Sequence, residues 1–330
     1  MAGRRDWTRE RLVDAVRVGD RRALARAITL IENGDPLAYE VVAELYPHTG
    51  SAYAVGLTGP PGVGKSSLVS ALVRLVRDEQ REVGVVSVDP SSPFSHGALL
   101  GDRIRLSDHF LDPEVFILSM SSRGHLGGLA EATLQALLVL DAAGKDIVFL
   151  ETVGTGQSEV GVISIADTVV LALMPGSGDA VQALKAGIME IPDVIAINKM
   201  DHPAAKTMLT EVRSILGLDR ECEWRPPIVL TEATRGENVP ELWEKVEAHR
   251  AYLEQSGQLA ERRARNLAAE VFAVASARAK QHLEHAVAES PELERLLEAV
   301  QRRELDPLSA VREILEQVFH IGDADGSTAL

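Results

Sequence analysis

Eight residues, Gly59-Pro60-Pro61-Gly62-Val63-Gly64-Lys65-Ser66, satisfy the pattern G-x-x-x-x-G-K-S in full. They follow an apolar run, YAVGLTG, and precede helical periodicity from Lys65 to about Gln80, the strand–loop–helix order in which this pattern has chemical meaning. That meaning is anion binding. Gly59, Gly62 and Gly64 allow the backbone, through Val63, to turn N–H groups inward around phosphate oxygens. Lys65 adds a point charge between the β- and γ-phosphates, and Ser66 offers a hydroxyl to Mg²⁺. The helix beginning at Lys65 directs the positive end of its dipole at the same anion. A glycine-rich turn that matches by chance is the bland alternative, and the flanking strand and helix weigh against it.

About 130 residues further on stands Asn198-Lys199-Met200-Asp201, which fits N-K-x-D. The Asp201 carboxylate is suited to accept from both N1–H and the exocyclic N2–H₂ of guanine. Adenine has no such donor pair, and a site built to pair a polar group rejects an analogue that leaves it unpaired. Lys199 is long enough to lay its aliphatic stem over the ring. The stretch Thr231-Glu232-Ala233-Thr234-Arg235-Gly236 follows the next apolar run, and Ala233, Thr234 and Arg235 are placed to close over the base with backbone groups. The implied ligand is GTP or GDP.

A third constellation is acidic. The run Ile147–Leu150 ends in Glu151-Thr152-Val153-Gly154, where GTPases carry D-x-x-G, whose acid reaches Mg²⁺ through water and whose glycine N–H senses the γ-phosphate. Glutamate is one methylene longer, so either the metal contact is more indirect or the strand ends earlier. Asp89 closes the run VGVVSVD, and Asp102 lies in the loop after it. Three carboxylates about one Mg²⁺–triphosphate make a dense outer shell with a general base among them, and Lys65, Asp102 and Glu151 are the catalytic candidates. Asp89 and Asp102 also have an ordinary reading as turn or cap residues.

The elements that must hold these groups are legible as seven apolar runs: 53–59, 83–89, 115–120, 146–151, 168–173, 194–198 and 227–232. None is polar along one face, as expected of strands covered on both sides. Helical segments separate them, which predicts a doubly wound, mostly parallel α/β sheet of the P-loop GTPase kind with ligands at the C-terminal strand ends. Residues 7–46 read as helices with stripes at Leu12, Ala15, Val16 and at Leu24, Ala27, Ile28, Ile31, with Asp20 and Asp35 as helix starts or breaks. Residues 256–302 are again helical, and a further segment, 307–319, starts at Pro307. The expected division is an N-terminal helical extension (1–48), a GTPase domain (49–255) and a C-terminal helical arm (256–330).

Composition narrows the rest. The chain has 330 residues, 45% hydrophobic and 25% charged, as in ordinary soluble proteins. A net charge of −15 argues against nucleic acid and anionic membranes as partners. Aromatic residues at 4% argue against base-stacking platforms. One cysteine, Cys222, fits a reducing compartment, and neither a secretory signal nor a run near the ~20 residues needed to span a bilayer is visible, so a cytoplasmic location is expected.

Four further stretches carry a resemblance: VDPSSPF…GALLGDRIR, SSRGHLGGLA, ETVGTGQSE and PGSGD…QALKAG followed by IMEI. They resemble the methylmalonyl-CoA mutase-associated GTPases, the MeaB/ArgK group, placed near the signal-recognition and nickel-insertion GTPases. The similarity covers roughly residues 10–255. It implies a GTPase that chaperones an adenosylcobalamin-dependent acyl-CoA mutase, gating cofactor loading and protecting the running enzyme, and a homodimer held by the C-terminal helices. By position it makes Lys65, Ser66 and Ser67 phosphate and metal contacts and groups Asp89, Asp102 and Glu151 near Mg²⁺. It also makes residues 175–187, with Asp179, a further mobile loop whose Lys185 pairs with Glu151, and it casts Gly154 and Gln157 as switch residues. His96, Ala180 and Glu232 depart from the family's pattern.

Thr155 occupies the place where small GTPases put their water-orienting Gln, and Gln157 comes two later. No arginine finger is evident, although Arg103, Arg105 and Arg123 are candidates, so slow intrinsic hydrolysis with partner stimulation is expected. No D-x-H-x-x-G is present, so any cobalamin belongs to the partner. A nickel-insertion GTPase or a transport-associated kinase is the alternative. The first needs a Cys/His site, for which His282 and His285 at i,i+3 offer little, and the second an acceptor pocket that the sequence does not show.

Overall fold

A computed structural model describes residues 7–89, 106–121, 128–152, 165–176, 192–217 and 223–319, with backbone only for Asp89, Ser121 and residues 128–130. The chain opens with helices α1 (Arg9–Arg17), α2 (Arg21–Glu32) and α3 (Pro36–Leu45). Each starts on a side-chain cap: Thr8 accepts from Arg11 N–H, Asp20 from Arg22 and Ala23, and Asp35 from Leu37. These caps satisfy amides that a helix start otherwise leaves unpaired, so of the two readings open for Asp20 and Asp35, starts or breaks, both are helix starts.

Among the described residues seven strands follow: β1 (Tyr53–Thr58), β2 (Val83–Asp89), β3 (Val115–Ser121), β4 (Ile147–Thr152), β5 (Thr168–Leu173), β6 (Val194–Ile197) and β7 (Ile228–Leu230). They lie within two residues of the seven apolar runs. All neighbours pair in parallel, in the order β3-β2-β4-β1-β5-β6-β7. Helices α4 (Lys65–Asp78), α5 (Gly128–Ala142) and α6 (Ala205–Leu216) lie between strands, and α7 (Val239–Gln255) follows β7. From β1 the strand order departs in both directions, and the C-terminal end of β1 is therefore the switch point where such sheets bind ligands.

Alternation along each strand explains the apolar runs. On one face Tyr53, Val55, Val83, Val85, Ile147, Phe149 and Val170 pack with Leu68, Leu72 and Val76 of α4 and with Leu242, Trp243 and Val246 of α7. On the other, Val86, Val88, Val148, Leu150 and Val169 pack with α5 and with the stripes of α1–α3. The N-terminal helices thus share the core of the sheet.

The N-terminal strand ends carry a buried polar network that fixes α7 and the start of α8 (Gln258–Glu289). Arg263 donates to Asp167 at 2.7 and 2.6 Å, and Arg262 donates to Asp193 at 2.9 and 2.7 Å. Tyr53 meets Thr168 at 2.6 Å, Thr168 meets His249 Nδ1 at 2.8 Å, and His249 Nε2 lies 3.3 Å from Asp193. Burial pulls the His249 imidazole down to about 4, outweighing the Asp193 carboxylate that holds it up.

The chain divides into two compact units, residues 1–271 and 272–330. The second contains the end of α8, then α9 (Pro291–Gln301) and α10 (Pro307–Phe319). Ser290 caps α9 and Pro291 occupies its first turn, which interrupts the long helical stretch. Within this unit, among the described residues, Leu293 and Ala310 are the buried apolar side chains, while Phe272 is 72% and Leu308 81% exposed. No described helix is long and apolar enough to cross a membrane.

Candidate functional site

The loop after β1 is shaped by glycines whose positive φ, and at Gly59 and Gly64 whose close neighbours, disfavour a side chain. Gly59 has φ +142°, and a Cβ there would collide with the carbonyl oxygen of Ala172 in β5. Gly62 and Gly64 sit in the left-handed region at φ +77° and +95°, and Gly64 forms the start of α4. A Cβ on Gly64 would lie 2.6 Å from Asn198 Nδ2. These constraints leave a bare backbone cradle at the head of a helix, the fit that a phosphate chain requires.

Among the described residues, the basic side chains of Lys65 and Lys199 reach this loop. Lys65, 5% exposed, donates through Nζ to the carbonyls of Gly59 at 2.6 Å and Pro60 at 3.1 Å. Lys199, in a left-handed conformation at φ +59°, donates to the Gly62 carbonyl at 2.9 Å and contacts Met174 Sδ at 3.4 Å. Left-handed backbone is strained for a lysine and clusters at functional sites.

Asn198 joins the two motifs. Its amide donates to the Val63 carbonyl at 2.7 Å, while its oxygen accepts from Thr231 Oγ1 at 3.2 Å and from Ala233 N–H at 3.1 Å. The phosphate loop, the N-K-x-D turn and the loop after β7 are therefore one construction around a side chain that is 2% exposed. Asp201 stands exposed in the same turn, and Thr234 and Arg235 are exposed in the β7 loop. Glu232 turns to its own loop: it accepts from Thr234 Oγ1 at 2.5 Å and bridges to Glu237 through the backbone.

On the other side of α4, the Ser66 hydroxyl donates to Glu151 Oε1 at 2.6 Å. Strand β4 runs through Thr152, so the acid sits inside the strand, 1% exposed, and its extra methylene spans the distance to α4. Ser67, half-buried, follows in the first turn of α4. Asp89 ends β2 beside Ser121. Asp102, Gly154, Gln157, Asp179 and Lys185, with His96, Ala180, Arg103, Arg105 and Arg123, lie outside the described residues.

The donors around Ser66 and Glu151 are all oxygens, the set Mg²⁺ takes together with phosphate oxygens and water. Among the described residues no group of three or more His, Cys, Asp or Glu is arranged to hold a metal. Mg²⁺ does not need one, since it usually binds through one or two carboxylates and its substrate's phosphates. His285 pairs with Glu289 at 3.1 Å, and the His282 ring lies 5.8 Å from that of Phe319. In the sequence Thr231 stands out only as the first residue of the loop over the base, and Ser87 is not singled out. Ser87 donates to Glu151 Oε2 at 3.4 Å, and its signal was a lone hydroxyl residue inside an apolar strand, two before Asp89.

Comparison with known proteins agrees with this geometry. The family described as methylmalonyl-CoA mutase-associated GTPase MeaB matches residues 24–288. A relative from Pyrococcus abyssi is 47% identical over 94% of this chain and 97% of its own. The GTPase ArgK of Escherichia coli is 35% identical over 74% of this chain and 76% of its own. The crystal structure of a LAO/AO transport system kinase superposes with a TM-score of 0.72 at 26% identity, over 96% of this chain and all of that one.

Proposed function

The chain belongs to the methylmalonyl-CoA mutase-associated GTPases, and we propose that this GTPase is the chaperone of an adenosylcobalamin-dependent acyl-CoA mutase, gating cofactor loading and guarding the working enzyme. The observation that carries the client is the family match over 24–288. The contact between Ser66 and Glu151 supports the nucleotide-driven part.

In this reading GTP binding is an exchange of partners. The Lys65 ammonium leaves the Gly59 and Pro60 carbonyls for the β- and γ-phosphates. Until the γ-phosphate arrives Ser66 keeps its proton on Glu151, which would leave the lone pairs of its oxygen for a metal ion. Mg²⁺ would be held by Ser66 with Glu151 behind it, and when bound would supply charge neutralisation for the phosphates. Water attacks the γ-phosphorus in line, the bond to the bridging oxygen breaks, and GDP and phosphate leave. The charge that develops falls to Lys65 and the loop N–H groups. Asp102 and Asp89 complete the acidic group, and Glu151 changes partner to Lys185 when the γ-phosphate or the mutase arrives. Asp201 and Lys199 select guanine, with Ala233, Thr234 and Arg235 closing over it. Hydrolysis is slow alone, and a group supplied by the partner raises it by ~10³–10⁵.

The cobalamin stays on the mutase. The arm from residue 256 onward serves as the dimer contact of a GTPase domain at 49–255, and the exposure of Phe272, Leu297, Leu308 and Val311 supports a second copy as its cover. The cytoplasm is the expected compartment.

Gel filtration with light scattering tests the assembly. The protein alone should run at twice the mass of its chain, and with stoichiometric mutase it should form a complex whose stability differs between GDP and a non-hydrolysable GTP analogue. A monomer that binds no mutase of this class in either nucleotide state would overturn the reading.

A further inference from the structure

Strand β2 reads VGVVSVD, and its side chains alternate between the two faces of the sheet. Val86 and Val88 join the core on the α5 side, and Val83 and Val85 that on the α4 side. Ser87 falls on the α4 side, 2% exposed, at a place where valine would continue the pattern. A hydroxyl buried in an apolar strand is unfavourable unless it is hydrogen-bonded. Ser87 is directly opposite Glu151 in the β2–β4 register, and its Oγ donates to Glu151 Oε2 at 3.4 Å. The other oxygen, Oε1, takes the Ser66 hydroxyl at 2.6 Å.

A donor at each oxygen fixes the plane of a carboxylate more firmly than a donor at one oxygen alone. The orientation of Glu151 matters because Ser66 has one proton. While that proton is held by Glu151, both lone pairs of Ser66 remain for a cation. If the carboxylate turns away, the hydroxyl is free to rotate and present its hydrogen instead.

We propose that Ser87 is a positioning residue for the magnesium end of the site, acting through Glu151 on Ser66. This rests on the reading of Glu151 as the metal-side carboxylate. Partners that orient metal ligands in this indirect way are worth about 10–100-fold in metal affinity, and the length of the Ser87 bond places it at the lower end.

The test is release of a fluorescent methylanthraniloyl-GDP from the full chain across a Mg²⁺ titration, with melting temperature recorded for each variant. In Ser87→Ala the Mg²⁺ concentration that half-maximally slows release should rise about tenfold, while affinity for the same nucleotide in EDTA stays as in the parent. Ser87→Thr, which restores the hydroxyl, should return the midpoint towards the parent value. An unmoved midpoint in Ser87→Ala, an equal loss of affinity in EDTA, or a Ser87→Thr that behaves as Ser87→Ala would overturn the proposal. Glu151→Ala separates the two levels. If it moves the midpoint and Ser87→Ala does not, only the role of Ser87 falls; if neither moves it, the magnesium reading of Glu151 falls as well.

Discussion

Ser66 and Glu151 are bonded hydroxyl to carboxylate at 2.6 Å across the gap between α4 and β4, with no more than 3% of either residue exposed. A buried carboxylate beside a phosphate loop is unfavourable for an anion until a cation lies between them. Glu151→Gln keeps the shape but weakens the acceptor. Magnesium-dependent GTP hydrolysis should fall about 10–100-fold, as for other outer-shell partners of a metal, with the loss seen as a higher Mg²⁺ requirement. A wild-type rate at limiting Mg²⁺ would remove Glu151 from the metal side.

Asn198 holds three segments through bonds to Val63, Thr231 and Ala233. Asn198→Ala leaves the Val63 carbonyl and the Ala233 amide unpaired in a buried place. Each such group costs about 1–3 kcal/mol, so urea denaturation should show a loss of roughly 2–6 kcal/mol together with loss of nucleotide binding. A variant of normal stability that still binds GDP would show that the tie is dispensable.

Asp201 should choose the base. Asp201→Asn loses the acceptor pair for guanine and gains a donor suited to the extra carbonyl of xanthine. Affinity for GTP should drop by at least ~10² and affinity for XTP should rise, in keeping with the cost of leaving polar groups unpaired. Competition binding with GTP, XTP and ATP decides it, and unchanged GTP affinity would take Asp201 out of the base site.

His249 gives the fold a pH dependence with a definite sign. Its folded value is depressed to about 4, so the native state keeps the ring neutral while the unfolded chain takes up a proton below its ordinary value near 6.5. The contribution is complete above pH 6.5 and is lost as pH falls towards 4. It amounts to about 3 kcal/mol over that window. Denaturant melts of the parent and His249→Gln at pH 7.5 and 4.5 should show the parent's advantage shrinking at the lower pH. An advantage that is constant or grows would contradict a neutral buried ring.

The parts of the site that the chain spells out locally were legible. Gly59–Ser66 is contiguous and Asn198–Asp201 is contiguous, and both motifs have strict strand–loop contexts. The strands announced themselves because a sheet covered on both faces needs uninterrupted apolar runs. Pairings that depend on topology were not legible. Asn198 meets Val63 across 135 positions, and Ser87 meets Glu151 across 64 only because β4 inserts beside β2. The same holds for Arg263, which reaches Asp167 from a helix 96 positions away. Periodicity told which face of a helix is apolar, but not that α1–α3 would pack with α5.

The measurement that bears most directly on the whole account is GTP hydrolysis by the purified chain, alone and with an adenosylcobalamin-dependent acyl-CoA mutase at stoichiometric ratio, in the parent and in Glu151→Ala and Lys185→Ala. The account predicts a slow basal rate, a rise of ~10³ or more on adding the mutase, and loss of that rise in both variants. A basal rate already equal to the rate with mutase, or no stimulation by any mutase of this class, would contradict it.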